Sequence, residues 1–282
     1  MVSYFGPPGS FTHEVALKRF GEKARLEAET TIGEVFAAVK SQRARTGLVP
    51  IYNSTGGFVS DTLDELLRAD FVRSGCRIAE ELKMDIELCL LGRGRPRPVR
   101  RVFTHPIPLK HSRGWVRRHY PQAELIAVTS TSDAAKRATA DRDAAAIGSE
   151  AAASRYGLRV WDRVRGAHQN NVTHFIVFGR AEVECISNPR TTIGFGLAHK
   201  PGTLAAFLGE LAKSQLNLSR IVSRPLAGKA GEYVFLVEFE GDARMHGVQS
   251  ALRAAKHCTT FLRVLGTYPA ARKLQQGIVV LQ

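Results

Sequence analysis

The chain has 282 residues, 44% of them hydrophobic, and its 40 Lys and Arg against 26 Asp and Glu give a formal charge of +14. That length predicts two domains, and the composition is that of an ordinary globular protein with apolar material for two cores. No apolar run reaches the roughly 18 residues that a spanning helix needs. Cys76, Cys89, Cys185 and Cys258 are scattered without metal-ligand spacing, so a reduced, cytoplasmic setting and no bound metal are expected. The opening Met1-Val2-Ser3-Tyr4-Phe5 reads as a first strand rather than a signal peptide. Strong positive charge can signal nucleic acid, an anionic membrane or acidic small substrates. The densest basic run, residues 93–101, carries prolines and glycines that argue against a groove-binding helix. It also lacks interleaved stacking aromatics, so neither nucleic acid nor a membrane is expected as partner.

In chain order, short strands alternate with helical patterns. Residues 2–5 predict a strand and 12–20 a helix; 31–41 place Ile32, Val35, Phe36 and Val39 at helical spacing. Residues 46–51 predict a strand, and 59–69 a helix burying Leu63, Leu66 and Leu67. Residues 77–91 and 101–103 read as pairing strands, and 125–128 as a strand leading into a helix over 133–139. Residues 144–147 repeat that step into a helix through Ser154, and 175–178 close the region as a strand. Alternation of this kind predicts open α/β lobes, with ligands beyond the carboxyl ends of the strands. Two lobes facing a central cleft are expected, near 1–80 and 81–165, with the chain returning to the first lobe near Thr173.

Ser187-Asn188-Pro189 marks a boundary, so the first domain is placed at 1–183 and the second at 190–269. The second reads βαββαβ, a ferredoxin-like order: strand 192–197, helix 202–213, strand 216–223, turn 227–231, strand 232–239, helix 244–256, strand 261–265. Residues 270–282 are expected to be a tail outside both units.

Three polar islands interrupt the aliphatic N-terminal half: Gly6-Pro7-Pro8-Gly9-Ser10-Phe11-Thr12, Asn53-Ser54-Thr55-Gly56-Gly57, and Asn171-Val172-Thr173-His174-Phe175. Hydroxyls, amides and glycines at strand ends leave backbone N–H groups free to face an anion. Serine and threonine at Ser10, Thr12, Ser54, Ser132 and Ser149 are each accounted for as helix N-caps, at about 1 kcal/mol apiece. Capping does not account for the third island, where amides precede a β-branched threonine at the mouth of a strand. Together the islands predict one pocket for a small carboxylate.

These motifs, with Ser130-Thr131-Ser132, Ile147-Gly148-Ser149-Glu150 and Tyr156-Gly157-Leu158, occur in an order that resembles the prephenate dehydratases. The second domain resembles the ACT regulatory module through Lys200-Pro201-Gly202-Thr203-Leu204, Asn217-Leu218-Ser219, Val222-Ser223-Arg224-Pro225 and Glu232-Tyr233-Val234-Phe235. The likeness spans residues 1 to about 269. It implies a periplasmic-binding-protein-like catalytic unit that takes prephenate to phenylpyruvate without metal or cofactor. By motif position, Thr173 is the catalytic hydroxyl donor and Asn53 helps to hold the substrate, with Ser54 beside it. Ser10, Thr104, Thr131, Ser132 and Phe175 are expected to line the substrate site. Gly202, Thr203, Leu204, Ser223 and Arg224 are expected to receive L-phenylalanine as effector. ACT modules commonly pair between chains, which implies a homodimer or homotetramer.

The sequence departs from the family pattern at chemically important places. The family's Thr-Arg-Phe is Thr173-His174-Phe175, which replaces a fixed planar cation by a titrating imidazole. Its Pro-Ile-Glu-Asn-Ser is Pro50-Ile51-Tyr52-Asn53-Ser54, and a Ser-His-Pro-Gln stretch reads Thr104-His105-Pro106-Ile107, with His111 where a further glutamine is expected. His174 is therefore expected to act catalytically in place of arginine. Two alternatives are a decarboxylase that does not aromatise its product and a non-catalytic amino-acid sensor. In the effector motif, Val222 stands where the family has glutamate, which implies weakened phenylalanine feedback.

Overall fold

The computed structural model describes residues 1–164, 171–180, 187–226 and 232–274. Gln169 and Asn170, residues 182–186 of the predicted boundary, the predicted turn at 227–231 and residues 275–282 lie outside the described residues.

The first lobe is built from β1 (Val2–Phe5), α1 (Phe11–Phe20), β2 (Leu26–Glu29), α2 (Ile32–Lys40), β3 (Thr46–Asn53), β4 (Gly57–Phe58), α3 (Ser60–Leu67), α4 (Ala69–Arg73) and β5 (Arg77–Asp85). In α2, Ile32, Val35, Phe36 and Val39 are buried as their spacing predicts, and Thr31 and Glu34 close a reciprocal capping box. Leu63, Leu66 and Leu67 of α3 are likewise buried.

The second lobe holds β6 (Cys89–Gly92), β7 (Arg101–Thr104), α5 (Pro106–His119), β8 (Glu124–Ala127), α6 (Thr131–Ala140), β9 (Ala144–Gly148), α7 (Glu150–Tyr156) and β10 (Arg159–Arg163), with sheet order β10-β6-β9-β7-β8. The chain then returns through β11 (Val172–Gly179), which pairs antiparallel with β3 on one side and β5 on the other. The first lobe's sheet thus runs β5-β11-β3-β1-β2, with β1 parallel to both neighbours.

The C-terminal unit follows the expected order: β12 (Pro189–Gly196), α8 (Thr203–Lys213), β13 (Leu218–Pro225), β14 (Tyr233–Glu240), α9 (His246–Lys256) and β15 (Phe261–Pro269). Its antiparallel sheet, β13-β14-β12-β15, is covered on both faces. Ile193, Phe195, Val237 and Phe239 meet Phe207 and Leu211 of α8 and Val248 and Leu252 of α9. On the opposite face, Val234, Leu236, Leu265 and Tyr268 share a core with Phe36, Leu63, Leu66 and Phe71 of the first lobe. Gly266 permits that contact, because a Cβ there would stand 2.3 Å from the Ile78 carbonyl oxygen.

The predicted tail is corrected in its described part. Arg272–Lys273 form β16, parallel to β5 at the edge of the first lobe's sheet. Leu274 is buried with Leu82, Met84 and Phe175. An apolar side chain beside an unpaired strand edge gains both burial and ladder hydrogen bonds, so this segment does not hang free.

Candidate active site

A cavity of about 620 Å³ opens between the lobes. Three helices begin at its wall. Ser10, Phe11 and Thr12 come from the start of α1, His105, Ile107 and Pro108 from α5, and Ser130 and Thr131 from α6. The α1 and α6 ends offer N–H groups and a partial positive charge, which favour an anion, whereas α5 opens Pro106-Ile107-Pro108 and its Ile107 N–H is taken by His105 Nδ1, so that end contributes its partial charge alone. The lining includes no lysine or arginine among the described residues; Glu29 is its carboxylate and His105 and His111 its imidazoles. Burial holds the His105 ring below its ordinary range, so it is chiefly neutral at neutral pH. The strong positive charge of the chain is thus not concentrated in the described lining of the cleft.

The floor is set by pairing of the second and third islands. Thr173 of β11 lies opposite Asn53 of β3. The ladder pairs His174 with Tyr52 but Phe175 with Pro50, leaving Ile51 as an extra residue on β3. This bulge re-phases the strand, so that Asn53 faces the cleft although Ile51, two residues earlier, lies in the core behind the sheet.

Asn53 is held by both ends of its amide. Its Oδ1 accepts from Thr55 N at 3.0 Å, Thr55 Oγ1 at 2.7 Å and Gly56 N at 2.8 Å. Those donors fix the amide's orientation. Its Nδ2 then donates to Thr173 Oγ1 at 2.8 Å and to Asn171 Oδ1 at 2.7 Å. Since the Thr173 oxygen already accepts a hydrogen bond, its own O–H is left to donate. Thr173 and Asn171 are buried yet line the cavity. Ser54 Oγ accepts from Val172 N at 3.0 Å, and Ser54 N donates to the Val172 carbonyl at 2.9 Å, which splices the two islands together.

Of the other predicted substrate residues, Ser10, Thr131 and Phe175 line the cavity. Ser10 also caps α1 by accepting from His13 N at 3.2 Å. Ser54, Thr104 and Ser132 are not among the lining residues. Thr104 is fully buried and donates to the Ile147 carbonyl at 3.2 Å, a structural bond between β7 and β9. Ser132 is buried within α6, whose cap is Ser130, accepting from Asp133 N at 2.9 Å. Ser149 caps α7 and donates to the Gly9 carbonyl at 2.8 Å, tying the second lobe to the first.

His174 requires the main correction. Thr173, Phe175 and Val177 of β11 point toward the cleft side of the sheet, so the alternation of a strand sends His174 to the other side. There its Nδ1 meets Glu81 Oε1 at 2.6 Å, and its ring stands edge-on to Tyr52 at 5.5 Å. It touches Arg220 of the regulatory unit and is not among the residues that line the cavity. Asn171, His105, His111 and Thr129 line the cavity without having been singled out as site residues. The helix-start pattern before α5 was a usable signal, obscured by Pro106 and Pro108.

The expected effector residues separate in this chain. Gly202, with φ +82°, precedes α8, and Thr203 donates to the carbonyls of Ala198 and Lys200 at 3.1 and 3.0 Å. Leu204 packs on the regulatory core. Arg224 instead reaches the first lobe, donating from Nε and Nη2 to the two Asp64 oxygens at 2.9 and 2.8 Å. Val222 joins the apolar contact with that lobe, whereas Ser223, the next residue on β13, is exposed.

The fold is thus a two-lobed α/β unit with a cavity between its lobes, followed by a ferredoxin-like unit docked on it. Residues 2–183 match the model of the family described as prephenate dehydratase, and residues 191–257 that of the ACT domain. The chain therefore belongs to the prephenate dehydratase family. It is 37% identical over 271 residues to the bifunctional chorismate mutase/prephenate dehydratase of Aquifex aeolicus, covering 96% of this chain and 74% of that one. A crystal structure of prephenate dehydratase from Arthrobacter aurescens in complex with L-Phe superposes with a TM-score of 0.85 at 30% identity, covering 95% of this chain and 90% of the other. A protein described as a novel type of quorum-quenching acylase superposes with a TM-score of 0.82 at 26% identity, covering 95% and 97%.

Proposed function

We propose that this chain converts prephenate to phenylpyruvate, carbon dioxide and water, with Thr173 as hydroxyl donor and Asn53 as the residue that orients it. The observation that carries this reading is the Asn53–Thr173 hydrogen bond on the floor of a cleft where three helices begin. The helix N-termini suit the two carboxylates of a dianion. As the C–C bond to the ring carboxylate breaks, its electrons enter the ring and the C–O bond to the ring hydroxyl breaks. Proton donation to the departing oxygen completes water. The Thr173 O–H supplies that proton or a strong hydrogen bond, the Asn53 N–H supports the charge left on Oγ1, and solvent water entering the cleft returns the proton to Oγ1. Such donors are worth typically about 10²–10⁴-fold in rate. Ser10 and Thr131 are assigned to the carboxylates and Phe175 to the apolar wall. The residues invoked require neither metal nor cofactor for these steps.

The regulatory unit supports L-phenylalanine as effector, with the α8 N-terminus as its carboxylate site and Ser223 nearby in the motif. Because Arg224 is engaged by Asp64 and Val222 by apolar contacts, feedback is assigned a weaker grip than the family motif implies. We assign a dimeric or tetrameric assembly and a cytoplasmic setting to this reading; among the described residues no helix is long and apolar enough to cross a membrane. Among the described residues, His13 is not set as a base toward the Ser10 hydroxyl: its Nδ1 accepts from Gly9 N at 3.0 Å, and its ring stacks on Tyr4.

The deciding experiment is incubation of the purified chain with prephenate, followed by alkali. The absorbing phenylpyruvate enolate is expected; a non-aromatic keto acid would establish a decarboxylase instead, and bound but unchanged prephenate a sensor.

A further inference from the structure

Behind the cleft floor lies a second polar assembly that the proposed chemistry does not use. Glu81 of β5, fully enclosed, accepts from Arg220 Nη2 of β13 at 2.7 Å and meets His174 Nδ1 at 2.6 Å through the same oxygen, Oε1. An ionised carboxylate only accepts, so His174 Nδ1 carries the proton. Burial raises the Glu81 pKa, but the hydrogen bonds from His174 and Arg220 and their charges outweigh it and hold the carboxyl at about 2. Arg220 continues to Glu238 Oε2 at 3.4 Å, and Tyr268 donates to that same oxygen at 2.8 Å. Tyr52, beside Asn53 in sequence, presses on the His174 ring.

The chain of contacts therefore runs from the regulatory sheet, through one carboxylate oxygen, to the peptide that follows Thr173. Tyr52 and His174, the positions that read in the sequence as departures from the motif, both lie on this rear side. The two departures thus meet each other rather than the substrate. A shared acceptor couples its two donors, since a displacement of either shifts the buried carboxylate oxygen to which the other is bonded.

We propose that His174 is a positioning residue: clamped by the Glu81 oxygen that Arg220 shares, it fixes the cleft-floor strand from behind and makes the placement of Thr173 depend on where the regulatory sheet sits. This rests on the dehydratase reading of the cleft. Because a misplacement of about 1 Å can cost 10²-fold in rate, a modest loosening of the clamp reaches the chemistry without any contact to substrate.

The test compares His174→Leu with His174→Asn, whose amide N–H2 stands about where Nδ1 does. His174→Leu is expected to lower kcat by about tenfold with KM little changed, and His174→Asn to recover most of that loss. Arg220→Gln, made in the other unit, is expected to give a similar loss, and the double variant Arg220→Gln/His174→Leu no more than the worse single one. Equal rates for the Leu and Asn variants, or losses that multiply in the double variant, would overturn the proposal. Amide hydrogen exchange across residues 172–175 gives a readout independent of turnover. Faster exchange in Arg220→Gln supports the clamp, and unchanged exchange overturns it, even if the wild-type chain forms no phenylpyruvate and the dehydratase reading itself falls.

Discussion

The two sides of the first lobe's sheet solve different problems with different chemistry. On the cleft side, Asn53, Asn171 and Thr173 are uncharged and joined by short hydrogen bonds whose donors are all assigned. On the far side, Glu81, Arg220 and Glu238 are charged, enclosed and paired across two folding units. Neutral oriented donors can lend a proton or a dipole without the desolvation cost of an ion. Buried ions hold geometry firmly, because losing one partner strands the other. The contrast teaches that position within a strand, rather than residue type, decides which role a polar side chain takes. Thr173 and His174 are adjacent, yet they serve opposite faces.

Changes on the cleft side break this contrast most severely. Asn53→Leu removes the donor to Thr173 and the acceptor that closes the Thr55–Gly56 turn. Turnover of prephenate is expected to fall about 10²–10³-fold, the usual loss for a preorganised donor, with the fold retained by circular dichroism. Unimpaired turnover would mean that the amide at 53 is scaffolding.

Acid should act most strongly on the far side. The Glu81 pKa lies below its unfolded value, so the unfolded state binds more protons in the interval between them. The stabilisation is complete above about 4.5 and is lost as pH falls toward about 2. A tenfold change in proton affinity is worth about 1.4 kcal/mol, so the depressed carboxyl contributes on the order of a few kcal/mol. Denaturant midpoints of wild type and Glu81→Gln should converge as the pH falls through that window. A constant gap would deny the carboxylate its role.

A smaller acid effect belongs to the lobes. His13 and His105 are both held low, His13 by burial and then by the charge of Arg155, and His105 by burial. The unfolded chain binds more protons below the ordinary histidine range, so stability should decline as pH drops under about 6.5. His105→Gln should flatten that decline in thermal melts; an unchanged slope would exclude His105 as its source. Smallest of all is Arg224→Met. Its Asp64 partner is largely exposed, so the loss should be within about 1 kcal/mol, the range for surface pairs. A large loss of stability would make that contact a main fastener between the units.

Much of the fold was legible because long periodic segments announce themselves. The helical spacing of Ile32, Val35, Phe36 and Val39 and the βαββαβ order needed no tertiary information. Helix α5 was hidden because Pro106, Pro108 and Gly114 are breakers in isolation, although proline in a first helical turn removes no intrahelical bond. Strands β2 and β10 were missed because they are short and only half-buried: Leu26 and Ala28 alternate with Glu27 and Glu29, but four residues are too few to stand out, and Val160-Trp161 in β10 do not alternate. The polar islands led to the cleft, and their pairing through Asn53 and Thr173 followed from the return of β11. The misplacement of His174 came from reading a motif as a unit, when alternation along the strand already separates neighbours. The bulge at Ile51, which turns Asn53 into the cleft, has no local signature, since only the register against β11 reveals it.

The most direct examination of the central claim is a pair of changes at one residue, Thr173→Ser and Thr173→Val, assayed for phenylpyruvate at saturating prephenate. Serine keeps the hydroxyl beside Asn53 and should retain most of the turnover. Valine keeps the shape without the donor and should lose about 10²-fold or more. A valine variant as fast as wild type would contradict the account, because no O–H at that position would then be needed for the ring oxygen to leave.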